Sequence, residues 1–344
     1  MATQTKGTIL ITGGGGYVGG QIIREALESG FNVRITARTA SSAQRTIARF
    51  PSHAAALSSA VIPDMTVAGS YEPAFADGAV THVIHAASPF NLAPEDNVRD
   101  LLDPAVKGAT SVLDAALLYG GGKVQRVVAT SSFAAVVDIG KGSREGYTYD
   151  EKDWNPVTWD EAAAASGVVA YCASKALAER AMWGWMEKHA QDRSFGLATV
   201  CPPWVFGPYA QPPTSTRGLS ESVQLLNNIV DGTSIPAFDF GGYADSREVA
   251  SAHVRALTTP AAEGKRFLVG QDFRYQAAVD IARREDPALA ARLPVGKTGE
   301  WMPAYHIDGS LATRVLGLKY GTLRDTVMQT YGQLMKAREL EAKA

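Results

Sequence analysis

The sequence predicts an α/β fold, a doubly wound parallel sheet followed by a smaller C-terminal lobe, and three observations predict it. Apolar and β-branched residues at 9–12 lead into four consecutive glycines, Gly13 to Gly16, and a helical pattern starts at Tyr17. Strand-like segments at 32–37, 60–62, 80–86, 124–130 and 197–201 alternate with helical ones, the order that builds a parallel sheet with crossover helices. From Pro202 to Gly242 the chain turns rich in Pro, Gly and aromatic residues and leaves that alternation.

The composition narrows the function classes. The chain has 344 residues, 46% hydrophobic and 20% charged, with a formal net charge of −2. No dense Lys/Arg block offers a nucleic-acid or polybasic membrane surface, so a small molecule is the expected partner. No stretch approaches a membrane span, and the first residues lack the apolar core of a signal peptide. The two cysteines, Cys172 and Cys201, suit a reducing compartment. Cytoplasmic residence and a monomeric or homodimeric state are expected.

The stretch Thr8 to Gly20 reads as strand, tight turn and helix. Glycines allow close backbone approach to a pyrophosphate, and a helix N-terminus offers unpaired N–H groups at a positive dipole end. A dinucleotide site of the Rossmann type is therefore expected. The register is open: Gly14, Gly16 and Gly19 satisfy G-x-G-x-x-G, and Gly13, Gly16 and Gly19 satisfy the longer G-x-x-G-x-x-G.

The second strand, Asn32 to Ala37, selects the cofactor. NAD-binding versions of this arrangement carry an acidic residue about 20 positions past the glycines, whereas an arginine accommodates a 2′-phosphate. Between Phe31 and Pro63 there is no acidic residue, while Arg34, Arg38, Arg45 and Arg49 are present. Arg38, at the strand's end, is the expected phosphate ligand, with Arg34 on the same strand face. Arg45 and Arg49 read as solvated. NADPH/NADP is the expected cofactor.

The next two strands end in Pro63-Asp64-Met65 and in Ala86-Ala87-Ser88-Pro89. Ligands of doubly wound sheets lie along that carboxyl edge, so Asp64, Met65, Ala86, Ala87 and Ser88 are candidate adenine and ribose contacts. Asn97 to Leu118 reads as one helix packed on the sheet. Val124 to Thr130 follows as a strand, then Ser131-Ser132.

Tyr171 and Lys175 stand four apart at the start of a helix running from Ala170 through Met186, which puts both on one face. A tyrosine is a poor acid or base near neutrality until a cation stabilises its phenolate, and Lys175 would do this. With Ser132 facing the same site, the three divide the work of carbonyl reduction: Ser132 polarises the carbonyl, Tyr171 is the general acid, and Lys175 tunes it and holds the cofactor ribose.

These residues carry a family resemblance. Thr12-Gly13-x-x-Gly16-Tyr17-Val18-Gly19 and Tyr171-x-x-x-Lys175 resemble the signatures of the extended short-chain dehydrogenases/reductases. Further marks are shared with its branch of dihydroflavonol, cinnamoyl-CoA and methylglyoxal-type carbonyl reductases. They are Ala37-Arg38, Pro63-Asp64, His85-Ala86-Ala87-Ser88-Pro89-Phe90, Thr130-Ser131-Ser132, Trp154-Asn155-Pro156, Val205-Phe206-Gly207-Pro208 and the Asp245 to His253 segment. The resemblance runs from about Thr8 to His253 and implies NADPH-dependent reduction of a ketone or aldehyde. It implies Ser132, Tyr171 and Lys175 as the catalytic triad and Arg38 as the 2′-phosphate ligand. Pro202 becomes a nicotinamide neighbour, Val205 joins the cofactor set, and the glycine register becomes Gly13, Gly16 and Gly19. Gly14-Gly15 and Pro203-Trp204 depart from the family's usual residues; the second could reshape the pocket.

The expected division is an NADP-binding Rossmann domain over 1–201, with 243–270 returning to it, and a substrate-binding lobe with the C-terminal helix over 202–344. Between Pro202 and Asp245 there is one basic residue, Arg217, against six aromatic ones. That suits an apolar carbonyl substrate better than a nucleotide sugar, whose diphosphate calls for cations. Phe90, Phe133 and Trp204 are the candidate pocket walls. The histidines show no zinc-like grouping and no metal is expected; Cys172 reads as packing. The rival readings are a nucleotide-sugar epimerase or dehydratase and a non-catalytic NADP-binding regulator.

Overall fold

The structure is a computed structural model that describes residues 5–88 and 91–343. Its main sheet holds seven parallel strands: β1 (Thr8–Thr12), β2 (Asn32–Ala37), β3 (Leu57–Val61), β4 (Val80–His85), β5 (Arg126–Thr130), β6 (Gly196–Cys201) and β7 (Lys265–Leu268). They lie in the order β7-β6-β5-β4-β1-β2-β3, so the doubly wound Rossmann sheet that the sequence predicts is present. The winding reverses between β1 and β4, which pair from Thr8 with Val80 to Thr12 with His85. A crevice at the carboxyl ends of these two strands is the expected ligand position of such a sheet.

Every residue of β1 is buried because both faces are covered. Ile9 and Ile11 pack with Ile22, Ile23 and Ala26 of α1 (Tyr17–Glu28). Leu10 packs on the other side with Val112 and Leu113 of α3 (Asp103–Tyr119), in a cluster that includes Met182 and Trp185 of α4 (Gly167–Lys188). Between β2 and β3 runs α2 (Ala40–Ile47), opened by a capping box in which Thr39 and Ser42 satisfy each other's backbone N–H groups.

Some boundaries differ from the sequence reading for local reasons. The helix expected over 97–118 divides: a single π turn covers Val98–Leu102, and α3 starts at Asp103 with Pro104 in its first turn, where a missing N–H costs nothing. Strand β5 starts at Arg126, two residues later than expected.

Beyond β6 the chain forms a three-stranded sheet from Trp204–Phe206, Gly242–Asp245 and Gln271–Asp272. Helix α5 (Ser246–Thr258) packs against α1, and β7 pairs with β6 at the edge of the main sheet. A separate apolar cluster joins α6 (Tyr275–Glu285) and α7 (Leu323–Lys343) around Phe206, Phe273, Val327 and Tyr331. Thr148–Tyr149 and His306–Ile307 form a small parallel pair nearby.

Candidate active site

The glycine turn is shaped by two close approaches. Gly13 has φ +71°, and a Cβ there would lie 2.7 Å from the Ala86 carbonyl carbon and the Ala87 nitrogen. A Cβ on Gly19 would collide with the Gly13 carbonyl oxygen, which also accepts from the Gly16 N–H at 3.0 Å. A Cβ on Gly14 would meet side chains and no backbone, Ile23 Cδ1 at 2.8 Å and Ile35 Cγ2 at 3.3 Å, and one on Gly15 would have Thr46 Oγ1 at 3.4 Å. Gly16 is the N-cap of α1 and no side chain caps that end, which leaves its first N–H groups for a ligand.

Thr12 ties the two strands that bracket this turn. Its hydroxyl accepts from the Ala87 N–H and meets His85 Nδ1, both at 3.0 Å. The His85 tautomer sets which of the two donates in that second contact. Burial and then nearby Lys175 push the His85 imidazole down to about 4, so it is neutral near pH 7.

A groove of about 870 Å³ runs from the glycine turn past the ends of β2 and β3. Gly13, Gly16, Arg38, Asp64, Met65, Ala86, Ala87 and Ser88 line it, as do Thr36, Ser42 and Thr46, which the sequence reading missed. Arg38 is exposed at its edge. Arg34 serves elsewhere: it pairs with Asp77 at 2.5 Å and donates to the Ala74 carbonyl at 2.7 Å, so it is no partner of Arg38. Arg49, read as solvated, donates to the Gly15 carbonyl at 2.9 Å and braces the turn.

Sharing Gly13, Gly16, Ala86 and Ser88 with the groove is a second cavity of about 480 Å³. It brings together Ser132, Tyr171 and Lys175 with Tyr17, Val18, Gly19, Pro202 and Val205. Ser132 follows β5 and its Oγ accepts from the Ala134 N–H at 3.1 Å. The Lys175 ammonium is 5.1 Å from the centre of the Tyr171 ring and donates to Ser88 Oγ at 2.6 Å. Burial lowers the Lys175 pKa to about 8. Burial also raises the Tyr171 hydroxyl above its ordinary value. The phenol is therefore protonated near pH 7.

Two supports of this cavity escaped the sequence reading. Glu179, one turn beyond Lys175, accepts from Ser131 Oγ at 2.6 Å, Thr199 Oγ1 at 2.7 Å and Arg266 Nε at 2.7 Å, joining α4 to β5, β6 and β7. His253 of α5 bonds the Val249 carbonyl and Thr130 Oγ1, both at 2.7 Å. Glu179 had a signal in its i+4 spacing from Lys175, and His253 closed a segment already singled out.

The aromatic walls differ in character. Trp204 lines the cavity, packs edge-on to Phe240 with ring centres 5.3 Å apart, and donates from Nε1 to Asp239 at 3.1 Å. Phe133 also lines the cavity but is fully buried among Tyr149, Phe240 and Tyr305. Phe90 lies outside the described residues. Cys172 and Cys201 are buried free thiols, pushed up to about 12 by that burial. Among the described residues no group of three or more His, Cys, Asp or Glu is placed to hold a metal, and no helix is long and apolar enough to cross a membrane.

Residues 9–270 match the family model described as the NAD dependent epimerase/dehydratase family. The chain is 33% identical over 341 residues to the NADPH-dependent methylglyoxal reductase GRE2 of Saccharomyces cerevisiae, covering 96% of this chain and 98% of that one. It is also 33% identical over 332 residues to the ketoreductase azaE of Aspergillus niger, with 93% and 95% covered. Its structure is similar to the crystal structure of yeast methylglyoxal/isovaleraldehyde reductase Gre2 complexed with NADPH, with a TM-score of 0.90 at 32% identity and coverage of 97% and 99%. With the glycine turn, the uncapped helix and the Ser132, Tyr171 and Lys175 cavity in one crevice, the chain belongs to the NAD dependent epimerase/dehydratase family, as an extended short-chain dehydrogenase/reductase.

Proposed function

We propose that the protein is an NADPH-dependent carbonyl reductase that converts an apolar or polyfunctional ketone or aldehyde to an alcohol. The observation that carries this reading is the meeting of Ser132, Tyr171 and Lys175 in a cavity that continues into the glycine-lined groove. The groove fits the cofactor on its own terms: the turn closes so tightly that side chains at Gly13 and Gly19 would collide with its backbone, no side chain among the described residues caps the α1 N-terminus, and Arg38 is exposed at the edge. In this reading Gly13, Gly16, Tyr17, Val18 and Gly19 hold the pyrophosphate side. Arg38 takes the 2′-phosphate, Asp64, Met65, Ala86, Ala87 and Ser88 the adenosine side, and Pro202 and Val205 the nicotinamide side. The 1–201 part with the returning 243–270 stretch binds cofactor, and the rest of 202–344 shapes the substrate pocket.

NADPH, when bound, supplies the hydride that reduces the carbonyl carbon. The chain handles the oxygen. Ser132 Oγ donates to the carbonyl oxygen and holds the growing negative charge. Tyr171 gives its phenolic proton to that oxygen, and the ammonium of Lys175 steadies the phenolate left behind and holds the ribose. A buried tyrosine that is protonated at rest suits the reducing direction.

The substrate class follows from the cavity. Phe133, Trp204, Leu219 and Phe240 line it, and Lys175 is the only cation among its described lining residues. That favours a carbonyl compound uncharged around its reacting group over a nucleotide sugar. The similarity to a methylglyoxal reductase and a ketoreductase over more than nine-tenths of the chain supports the same class. Tyr171→Phe tests the reading. NADPH oxidation with any accepted carbonyl is expected to fall by about 10²–10⁴-fold while NADPH affinity stays within about twofold; retained turnover overturns it.

A further inference from the structure

The second lobe has a cleft of about 500 Å³, bounded by the start of α6 and the segments 232–240 and 294–302. Arg274, the N-cap residue of α6, lines it and is only 4% exposed. Its Nε donates to the Met302 carbonyl at 2.7 Å, and its Nη1 to the Phe273 and Gly241 carbonyls at 2.7 and 3.2 Å. Nη2 has no partner.

No carboxylate among the described residues pairs with this guanidinium. Asp272 attracts it but is held by His306 and the Ile307 N–H; Asp239 accepts from Trp204 and Tyr275, and Glu300 from Lys297. A buried cation without a counter-charge is costly. The same corner holds a helix start that no side chain caps, so two sources of positive potential converge on one cavity.

The lining is mixed: Asp239, Glu300 and Lys297 belong to it, already engaged as described, and the rest around Arg274 is largely apolar. Phe238 and Ile235 line the cleft, and the guanidinium is 5.1 Å from the Phe238 ring centre and 5.0 Å from that of Trp301. Val295, Trp301 and Met302 are large hydrophobic residues left 55%, 45% and 39% exposed within eight positions of one segment. Apolar side chains gathered at the mouth of a cavity mark a ligand surface.

We propose that this cleft is a second binding site, for a small organic carboxylate with an apolar or aromatic body. The carboxylate accepts from Arg274 Nη2 and the first N–H groups of α6, and the body lies against Phe238, Ile235, Val295 and Met302. Phe240 lines both this cleft and the cavity of Ser132 and Tyr171. The ligand is therefore either a separate molecule or the carboxylate-bearing tail of a long carbonyl substrate.

Calorimetric titration of the full chain with 3-phenylpropionate, its neutral amide and inorganic phosphate tests this without any assumption about catalysis. The carboxylate is expected to bind. Its amide and phosphate, which lack the charge or the apolar body, are expected to bind at least about tenfold more weakly. Arg274→Gln is expected to weaken the carboxylate by about ten- to hundredfold. Because Arg274 also straps three carbonyls, Val295→Asp at an exposed rim position provides a second variant, which keeps the fold and repels the anion. Failure of 3-phenylpropionate to bind, or binding to both variants as tight as to the wild type, overturns the proposal. Kinetics then assign the source: a tail makes Arg274→Gln raise KM for a carboxylated ketone alone, whereas a separate ligand changes KM for a neutral ketone in the wild type and not in Arg274→Gln.

Discussion

Arg266 and Glu179 form a buried two-pronged ion pair, Nε to Oε1 at 2.7 Å and Nη2 to Oε2 at 3.1 Å, one helical turn beyond Lys175. Arg266 also donates to the Glu151 and Asp153 carbonyls and lies over the Trp154 ring at 3.5 Å. The pair thereby fastens the helix that carries Tyr171 and Lys175 to β7 and to the loop before Asn155.

Removing one partner of a buried ion pair strands the other. Glu179→Gln is expected to lower stability by about 3–5 kcal/mol in urea unfolding. A loss below about 1 kcal/mol would mean that the pair does not fasten the helix.

The contrast between Glu179 and Tyr171 explains what the sequence made legible. Tyr171 and Lys175 are partners on one helix, and the glycine turn is local to one strand and one helix, so spacing alone reveals them. Glu179 meets Arg266 across 87 positions and Thr130 meets His253 across 123; no periodicity encodes such contacts. Arg34 misled for the related reason that its partner, Asp77, sits 43 positions away on another element. The division of the 97–118 helix was readable from Pro104, whose ring suits a first turn better than a helix interior.

Arg38 stands exposed at the groove's edge, and among the described residues no hydrogen bond or ion pair of its side chain is present. A guanidinium in that position matches a phosphate bidentately. Arg38→Ala is expected to weaken NADPH by at least about tenfold and NADH by less than about twofold, measured by fluorescence titration of both cofactors. Equal losses would refute the 2′-phosphate role.

A pH dependence is expected from Lys175. Burial brings its pKa from 10.5 down to about 8, so its charge is present below that pH and disappears above it. If the ammonium steadies the Tyr171 phenolate, kcat/KM for reduction falls as pH rises through about 8. Lys175→Arg keeps the charge across the range, and its profile is expected to lose that limb even though turnover is lower. An unchanged limb in the variant would assign the titration to another group.

The two glycine registers make opposite demands on neighbouring residues. The shorter one needs Gly14 and the longer one Gly13, and the backbone distinguishes them. Gly13 combines φ +71° with two backbone atoms at 2.7 Å from any Cβ, whereas Gly14 faces Ile23 Cδ1 at 2.8 Å, the far end of a side chain that can turn aside. Left-handed backbone costs an L-residue roughly 1–2 kcal/mol before any clash is counted. Gly13→Ala is therefore expected to weaken NADPH binding by at least about tenfold, and Gly14→Ala by less than about threefold. Titration of both variants, with circular dichroism to establish that each is folded, decides between the registers; the reverse order of losses would restore Gly14, Gly16 and Gly19 as the cofactor-binding set.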